Sequence, residues 1–398
     1  HLLMKGLGRY SGCMNIAAGP ARTRAVVAVV ASSLLLLLAF VSPAAAPAQA
    51  PSGAQASIVN GKAASIQDWP WQVALAVSKH VRPGQSPQQR SFCGGSLLAP
   101  DLVITAGHCV ADVPKAKVAH ISVISGRTFL NNRSAGEETD VARRYMPTYS
   151  NGRRKFDISG GAADWDVAML KLRHPVSSAP IAIAGNDEKD SWRTGQAVKT
   201  TGWGVTDPRQ RIVTNGLRIA GQVMQPERIC RRWDGRAFDP NHMVCFGAPS
   251  IHASACNGDS GGPLMAPVTT AAGRVHRLVG LTSFGDGYCR GAIPSVDTRV
   301  ADQPIRGWVK RTAMKATGAD VIGHGGAAPA VRDWCRVPDL FALSLVSAKI
   351  ELLQNNCRLG SVQRDSSRGL RRGSVTYTNY LPHWLAKPGA KVKVSRAR

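Results

Sequence analysis

Ala255-Cys-Asn-Gly-Asp-Ser-Gly-Gly-Pro-Leu264 sets a serine between an acid and two glycines, four residues after a cysteine. Asp, Ser and Gly are ordinary turn formers, so a glycine turn is the plain reading. The sharper reading is an exposed nucleophile. A serine hydroxyl does not attack unaided at neutral pH. It needs a base, an acid that orients the base, and donors for the oxyanion. The rest of the chain must therefore supply a histidine and a carboxylate.

Two stretches supply them. Residues 97–110, LLAPDLVITAGHCV, form an apolar strand-like run that ends in Thr105-Ala-Gly-His-Cys109. A lone histidine is most often structural, but His108 abuts a cysteine where a disulfide would fix its backbone. Residues 164–172, DWDVAMLKL, alternate into a buried strand, with Asp166 at its entry. A buried acid needs a partner, and a histidine N–H would serve. His, Asp, Ser is one of the chain orders in which a hydrolytic triad occurs.

The surrounding motifs carry a family resemblance. They are Ile58-Val-Asn-Gly61, Phe92-Cys-Gly-Gly-Ser96, Thr105-Ala-Gly-His-Cys109, Asp166-Val-Ala-Met-Leu170 and Gly202-Trp-Gly204. Met243-Val-Cys245, Cys256-Asn-Gly-Asp-Ser-Gly-Gly-Pro-Leu264, Ser283-Phe-Gly285 and Pro294-Ser-Val-Asp-Thr-Arg-Val300 follow in order. With these motifs the chain resembles the trypsin/chymotrypsin-type serine endopeptidases over about residues 58–313. Departures are Gly107 for alanine, Asn60 near the new N-terminus, Phe284 for tryptophan and Asp297 for tyrosine. None removes a catalytic group.

The resemblance implies an all-β fold: two antiparallel six-stranded barrels, the active site in the cleft between them, and a short C-terminal helix. Short alternating runs separated by Gly, Pro, Asn and Asp agree with it, and QPIRGWVKRTAMK, residues 303–315, reads as the helix. The same resemblance pairs Cys93 with Cys109, Cys230 with Cys245 and Cys256 with Cys289, leaving Cys335 for Cys357. It makes Ser260 the nucleophile, His108 the base and Asp166 the orienting acid. The backbone N–H groups of Gly258 and Ser260 become the oxyanion hole, and Asp259 the partner of an ammonium released by cutting before Ile58. It places Ser254 at the floor of the specificity pocket, Gly285 at its mouth and Ser295 and Asp297 in its wall and base, with substrate backbone pairing along Ser283, Phe284 and Gly285. An uncharged pocket for a medium-sized P1 side chain is expected, with Asp297 paired to an arginine such as Arg299 or Arg290. The alternative is Arg or Lys specificity through Asp297.

Residues 1–48 read as a leader. Ala21-Arg-Thr-Arg24 precedes an uncharged apolar run, residues 25–41, then small residues and prolines. That order is a secretory signal with a cut after Ala48, and an uncleaved anchor is the alternative. Residues 49–57 are then a pro-segment. It ends in Ser57, not the Arg or Lys most relatives cut after. A secreted or periplasmic chain meets oxidising conditions, so the eight cysteines left once Cys13 goes with the leader are expected to pair.

The 398 residues carry 50 Lys and Arg against 25 Asp and Glu, a net charge of +25. This attracts anionic polymers or surfaces. The basic residues look scattered and form no nucleic-acid motif, so no specific nucleic-acid partner is expected; protein or peptide substrates and a monomer are. No spacing suggests a metal site, and no cofactor is implied. The one acidic cluster, Gly136-Glu-Glu-Thr-Asp140, reads as a solvated face of a loop rather than a calcium site. Residues 58–316 form the protease domain and 317–398 a basic extension. In the extension, residues 317–330 read as a small-residue linker and 338–356 as a helix capped by Asp339. Residues 373–380 and the last nine read as strands. Filled triad positions favour an active enzyme over a protease-shaped binding protein.

Overall fold

The computed structural model describes residue 58 and residues 61–158, 163–207, 209–247, 253–285, 287–291, 293–329, 334–365 and 370–398. The leader, its cleavage point and the pro-segment lie outside the described residues. Among the described residues no helix is long and apolar enough to cross a membrane.

Six strands close the first barrel: β1 (Gln72–Val77), β2 (Ser91–Ala99), β3 (Leu102–Thr105), β4 (Ile121–Ser125), β5 (Glu137–Tyr145) and β6 (Ala168–Leu172). Their order around the ring is β1-β2-β3-β6-β5-β4, all antiparallel. Side chains alternate between two apolar interiors, as a strand's period of two requires. Val73 and Leu75 of β1 and Val103 of β3 fill the barrel. Ala74, Ala76, Leu102 and Ile104 face the other way, into a second core shared with Met265, Leu278 and Val300. Both faces of β1 and β3 are dry, which explains their nearly continuous apolar runs.

The second barrel uses β7 (Ala197–Gly202), β8 (Arg218–Met224), β9 (Met243–Gly247), β10 (Pro263–Thr270), β11 (Gly273–Phe284) and β12 (Ser295–Arg299). The ring β8-β9-β12-β11-β10 is closed by β7, which pairs with both β10 and β8, and Lys62–Ala63 adds a short edge to β8. Val198, Val244, Phe246, Leu264 and Val279 are buried inside it. Helix α1 (Glu227–Asp234) leads into β9. Helix α2 (Ile305–Thr317) buries Ile305, Val309 and Ala313 in the shared core. It ends where Gly318 turns left-handed and donates to the Met314 carbonyl at 2.9 Å, a glycine stop.

Three expectations need correction. The acidic cluster is not in a loop: it belongs to β5, where Glu138 makes a two-point ion pair with the buried Arg90, at 2.8 and 3.0 Å. Residues 317–329, the described part of the expected linker, do not run free, because their backbone bonds to Ile183 and to Thr269 of β10. Helix α3 covers only Leu345–Gln354. Asp339 instead accepts from the Phe341 N–H at 3.1 Å in a turn, while the Ser344 hydroxyl caps the helix by accepting from Ser347 N–H at 3.1 Å. Asp339 closes its turn locally, as such residues often do, so the helix starts later.

Beyond α3 the extension forms a three-stranded sheet of β13 (Arg358–Asp365), β14 (Val375–Thr378) and β15 (Lys391–Ala397), in the order β13-β15-β14, and Leu385–Ala386 pairs separately with Cys335–Arg336. Its small core contains Val337, Ala348, Leu352, Val375, Val392 and the Cys335–Cys357 disulfide. The other disulfides join Cys93–Cys109, Cys230–Cys245 and Cys256–Cys289.

Candidate active site

His108 sits in the turn after β3, tied back to β2 by the Cys93–Cys109 disulfide. Asp166 precedes β6 and is fully buried. One carboxylate oxygen accepts the His108 backbone N–H at 2.7 Å, and the other lies 2.8 Å from His108 Nδ1. Ser283 Oγ donates to that second oxygen at 2.6 Å, and Thr298 Oγ1 donates to the Asp166 carbonyl at 2.8 Å. Three donors converge on one buried carboxylate, which satisfies a charge that burial alone would penalise. The arrangement puts a proton on Nδ1 and leaves Nε2 as the basic nitrogen. Burial lowers the His108 pKa, but the charge and hydrogen bond of Asp166 together outweigh it, and the pKa is raised. The neighbouring acid Asp164 turns elsewhere, 2.6 Å from His242 Nδ1.

Ser260 lies in the turn before β10, on the second barrel. The Gly94 N–H donates to its carbonyl at 2.8 Å, and the Gly261 N–H donates to the Thr282 carbonyl at 2.7 Å. Gly258 and Gly261 flank it at φ of +98° and +76°, which side-chain-bearing residues rarely adopt. A Cβ on Gly261 would stand 2.2 Å from Thr105 Oγ1. The serine turn therefore rests directly on the strand end that leads to His108. Asp259 is fully buried and accepts from Gly204 N–H at 2.8 Å and Cys256 N–H at 3.0 Å. Burial pushes it up to about 6 despite those two donors. Ile58 is also fully buried, against Ala220 and Ala253.

Ser254 and Ser295 are buried, Phe284 is half-buried, and a Cβ on Gly285 would stand 3.4 Å from Ser295 Cα. Asp297 lies mid-sheet on β12, opposite Thr282 and Val244. Its carboxyl is buried, and neither oxygen has an aligned hydrogen-bond partner. Burial first, and the Asp166 charge after it, push its pKa well above the usual carboxylate range; the nearby Ser283 amide draws it down without reversing this. The expected arginine partner for Asp297 does not hold at Arg299. That guanidinium lies at the sheet's rim and bonds Glu227 at 2.9 Å and the Met243 carbonyl at 3.0 Å. A guanidinium reaching Asp297 would have to be buried with it.

Sequence reasoning missed Trp384. This extension residue is fully buried against Ile229, Cys245 and Val296, with Phe284 beside it. Its Cζ2 lies 2.9 Å from where a Cβ on Gly247 would stand. Gln225 secures the contact by donating to the Leu385 carbonyl at 3.1 Å and accepting the Leu385 N–H at 2.9 Å. The extension thus packs on the strands that carry Phe284 and Ser295. Trp384→Ala is expected to cost about 3–5 kcal/mol, the range for emptying a large buried aromatic site. Chemical denaturation checks this, and an unchanged midpoint would show that the extension is only loosely attached.

Comparison with known proteins agrees with this architecture. Residues 58–309 match the family model for Trypsin. The chain is 33% identical over 244 residues to "Trypsin" of Saccharopolyspora erythraea, across 61% of this chain and 93% of that protein. It is 30% identical over 269 residues to "Suppressor of tumorigenicity 14 protein homolog" of Bos taurus, across 64% of this chain and 28% of that longer protein. With the two closed barrels, and with His108, Asp166 and the Ser260 turn set at their junction, these matches make the chain a member of the trypsin family, a serine endopeptidase.

Proposed function

We propose that Ser260, His108 and Asp166 form the catalytic triad of a secreted endopeptidase. The observation that carries this is the two-point hold of Asp166 on His108, beside the Ser260 turn. Ser260 Oγ attacks the peptide carbonyl as His108 Nε2 takes its proton. The oxyanion is held by the Gly258 and Ser260 N–H groups. The acyl-enzyme forms as protonated His108 gives the proton to the leaving amine, and water then reverses the roles. Asp166 holds the imidazole tautomer and stabilises the imidazolium. Four disulfides fit an oxidising, extracellular compartment, and the leader motif supports export.

The pocket is read as uncharged. Ser254 at its floor brings no charge, and the burial of Asp297 without an aligned donor disfavours a charge there. An apolar P1 group gains burial worth about 25 cal/mol per Å², whereas a cationic one would lose its water. The test is cleavage of matched peptides with P1 Leu, Tyr, Arg and Lys by wild type and Asp297→Asn. Leu and Tyr should be preferred, with little change in the variant. A tenfold preference for Arg or Lys that disappears in Asp297→Asn would make Asp297 the specificity residue.

Maturation is proposed to expose Ile58 as the N-terminus, giving Asp259 an ammonium partner. Without that partner, the folded-state pKa of Asp259, about 6, exceeds its ordinary 3.8. Its contribution to stability is then fully present below 3.8 and lost as pH rises through 6. Uncut chain should therefore lose stability between about pH 4 and 6, and cut chain should not. N-terminal sequencing of the active form should begin at Ile58. Full activity in a form retaining Gln49 to Ser57 would contradict this.

A further inference from the structure

Basic residues that look scattered along the sequence gather in the fold. Six of them line one open groove of about 970 Å³. Lys115 opens a short 3₁₀ helix (Lys115–His120), Arg143 and Arg144 lie on β5, and Arg154 lies in the loop after it. Arg311 and Lys315 stand one turn apart on α2, so they share a face. Among the described residues lining the groove, none is acidic. Arg144 and Arg154 are committed to structure. Arg144 donates to the carbonyls of Val110 and, at 2.7 Å, Val113, while Arg154 donates to Ala111 at 2.5 Å. Arg143 lies over the Tyr145 ring at 6.0 Å. Lys115, Arg143, Arg311 and Lys315 make no ion pair among the described residues. Burial first, then the charge of Arg154, lowers the Arg144 pKa, and the charge of nearby Asp112 only partly opposes them. Like charges gathered in such excess repel one another, and an anion among them relieves that repulsion.

We infer that this groove binds a flexible chain of repeated phosphate groups. Four of the six cations are arginines, whose planar forks match phosphate oxygens in pairs. The cations come from three separate elements and a loop, a spread that fits several phosphates along a chain better than one. Trp308 and Tyr145 are half-buried against the shared core. That partial burial, with Arg143 over the Tyr145 ring, limits their use as a platform for stacked bases, which disfavours single-stranded nucleic acid. This binding needs none of the triad's chemistry.

The test is titration of the full chain with inorganic polyphosphate over a salt series. The groove variant is Arg143→Glu/Arg311→Glu/Lys315→Glu, which spares the two structural arginines. The control, Arg371→Glu/Arg372→Glu/Lys391→Glu, makes the same charge change at exposed sites in the extension. At about 150 mM salt the groove variant should bind at least about 30-fold more weakly. Its log–log salt slope should flatten by about 2, at roughly 0.7 per lost phosphate contact. The control should lose less than about threefold. A milder Arg143→Gln/Arg311→Gln/Lys315→Gln set should fall between wild type and the Glu set, and guards against misfolding. Equal losses in groove and control variants would reduce the effect to bulk charge and overturn the site. Pyrophosphate binding as tightly as polyphosphate would overturn the chain reading. Single-stranded DNA or polyglutamate of equal charge binding as tightly would overturn the phosphate reading, and no wild-type binding would overturn the proposal outright.

Discussion

Ser260→Ala is expected to lower kcat on a peptide substrate by about 10⁶, the loss seen when a triad nucleophile is removed. The folded state should barely change. Ser260 is partly exposed, and its fold contacts run through its backbone carbonyl, which accepts from Gly94 N–H at 2.8 Å. Deleting Oγ leaves that bond intact, so stability should stay within about 0.5 kcal/mol. Steady-state turnover and thermal melting of the same preparation read the two halves. Turnover within tenfold of wild type would remove Ser260 from the mechanism.

Asp166→Asn should cost about 10⁴ in kcat, because an amide in place of the carboxylate selects the wrong imidazole tautomer. An Asn NH₂ facing Nδ1 makes Nδ1 the acceptor and puts the proton on Nε2, where the base must be free. A second consequence follows from the raised His108 pKa. Histidine must be neutral to act as base, so activity is present above its pKa and lost as pH falls through it. Asp166 is what raises that pKa against burial. In Asp166→Asn burial prevails, and the acidic limb of kcat/KM should move to lower pH while the whole profile drops. Asp164→Asn is the comparison. Its partner is His242, so its effect on kcat should be small. A crippled Asp164→Asn with a mild Asp166→Asn would reverse the assignment.

Much of this site could be read from the chain alone because each part is local. Thr105-Ala-Gly-His-Cys109 and the run after Asp166 are strand ends whose apolar alternation shows in a few residues, and the two barrels are implied by the resemblance these motifs carry. What escaped reading depends on contacts between distant segments. The isolation of Asp297 depends on Thr282 and Val244 across the sheet. The seat of Trp384 depends on Gly247 and on Gln225, 160 residues from its bonding partner Leu385. Helix α3 fell short because apolar spacing around Phe341 imitates a helix, while Asp339 closes a turn there. Of that apolar spacing, Ala348 and Leu352 face the extension's core, but Val346, Ile350 and Leu353 are exposed. Periodicity identifies a helix and cannot say which of two apolar stripes will be covered. The basic groove is another long-range product, assembled from residues between positions 115 and 315.

Everything proposed for this site turns on Ser260 as the nucleophile activated by His108 and Asp166. The most direct test is reaction of the active protein with a serine-directed fluorophosphonate, followed by mapping of the adduct by peptide mass spectrometry. One adduct is expected, on Ser260, whose formation slows sharply in Asp166→Asn and is absent in Ser260→Ala. An adduct on any other residue, or peptide cleavage that continues after Ser260 is fully labelled, would contradict it.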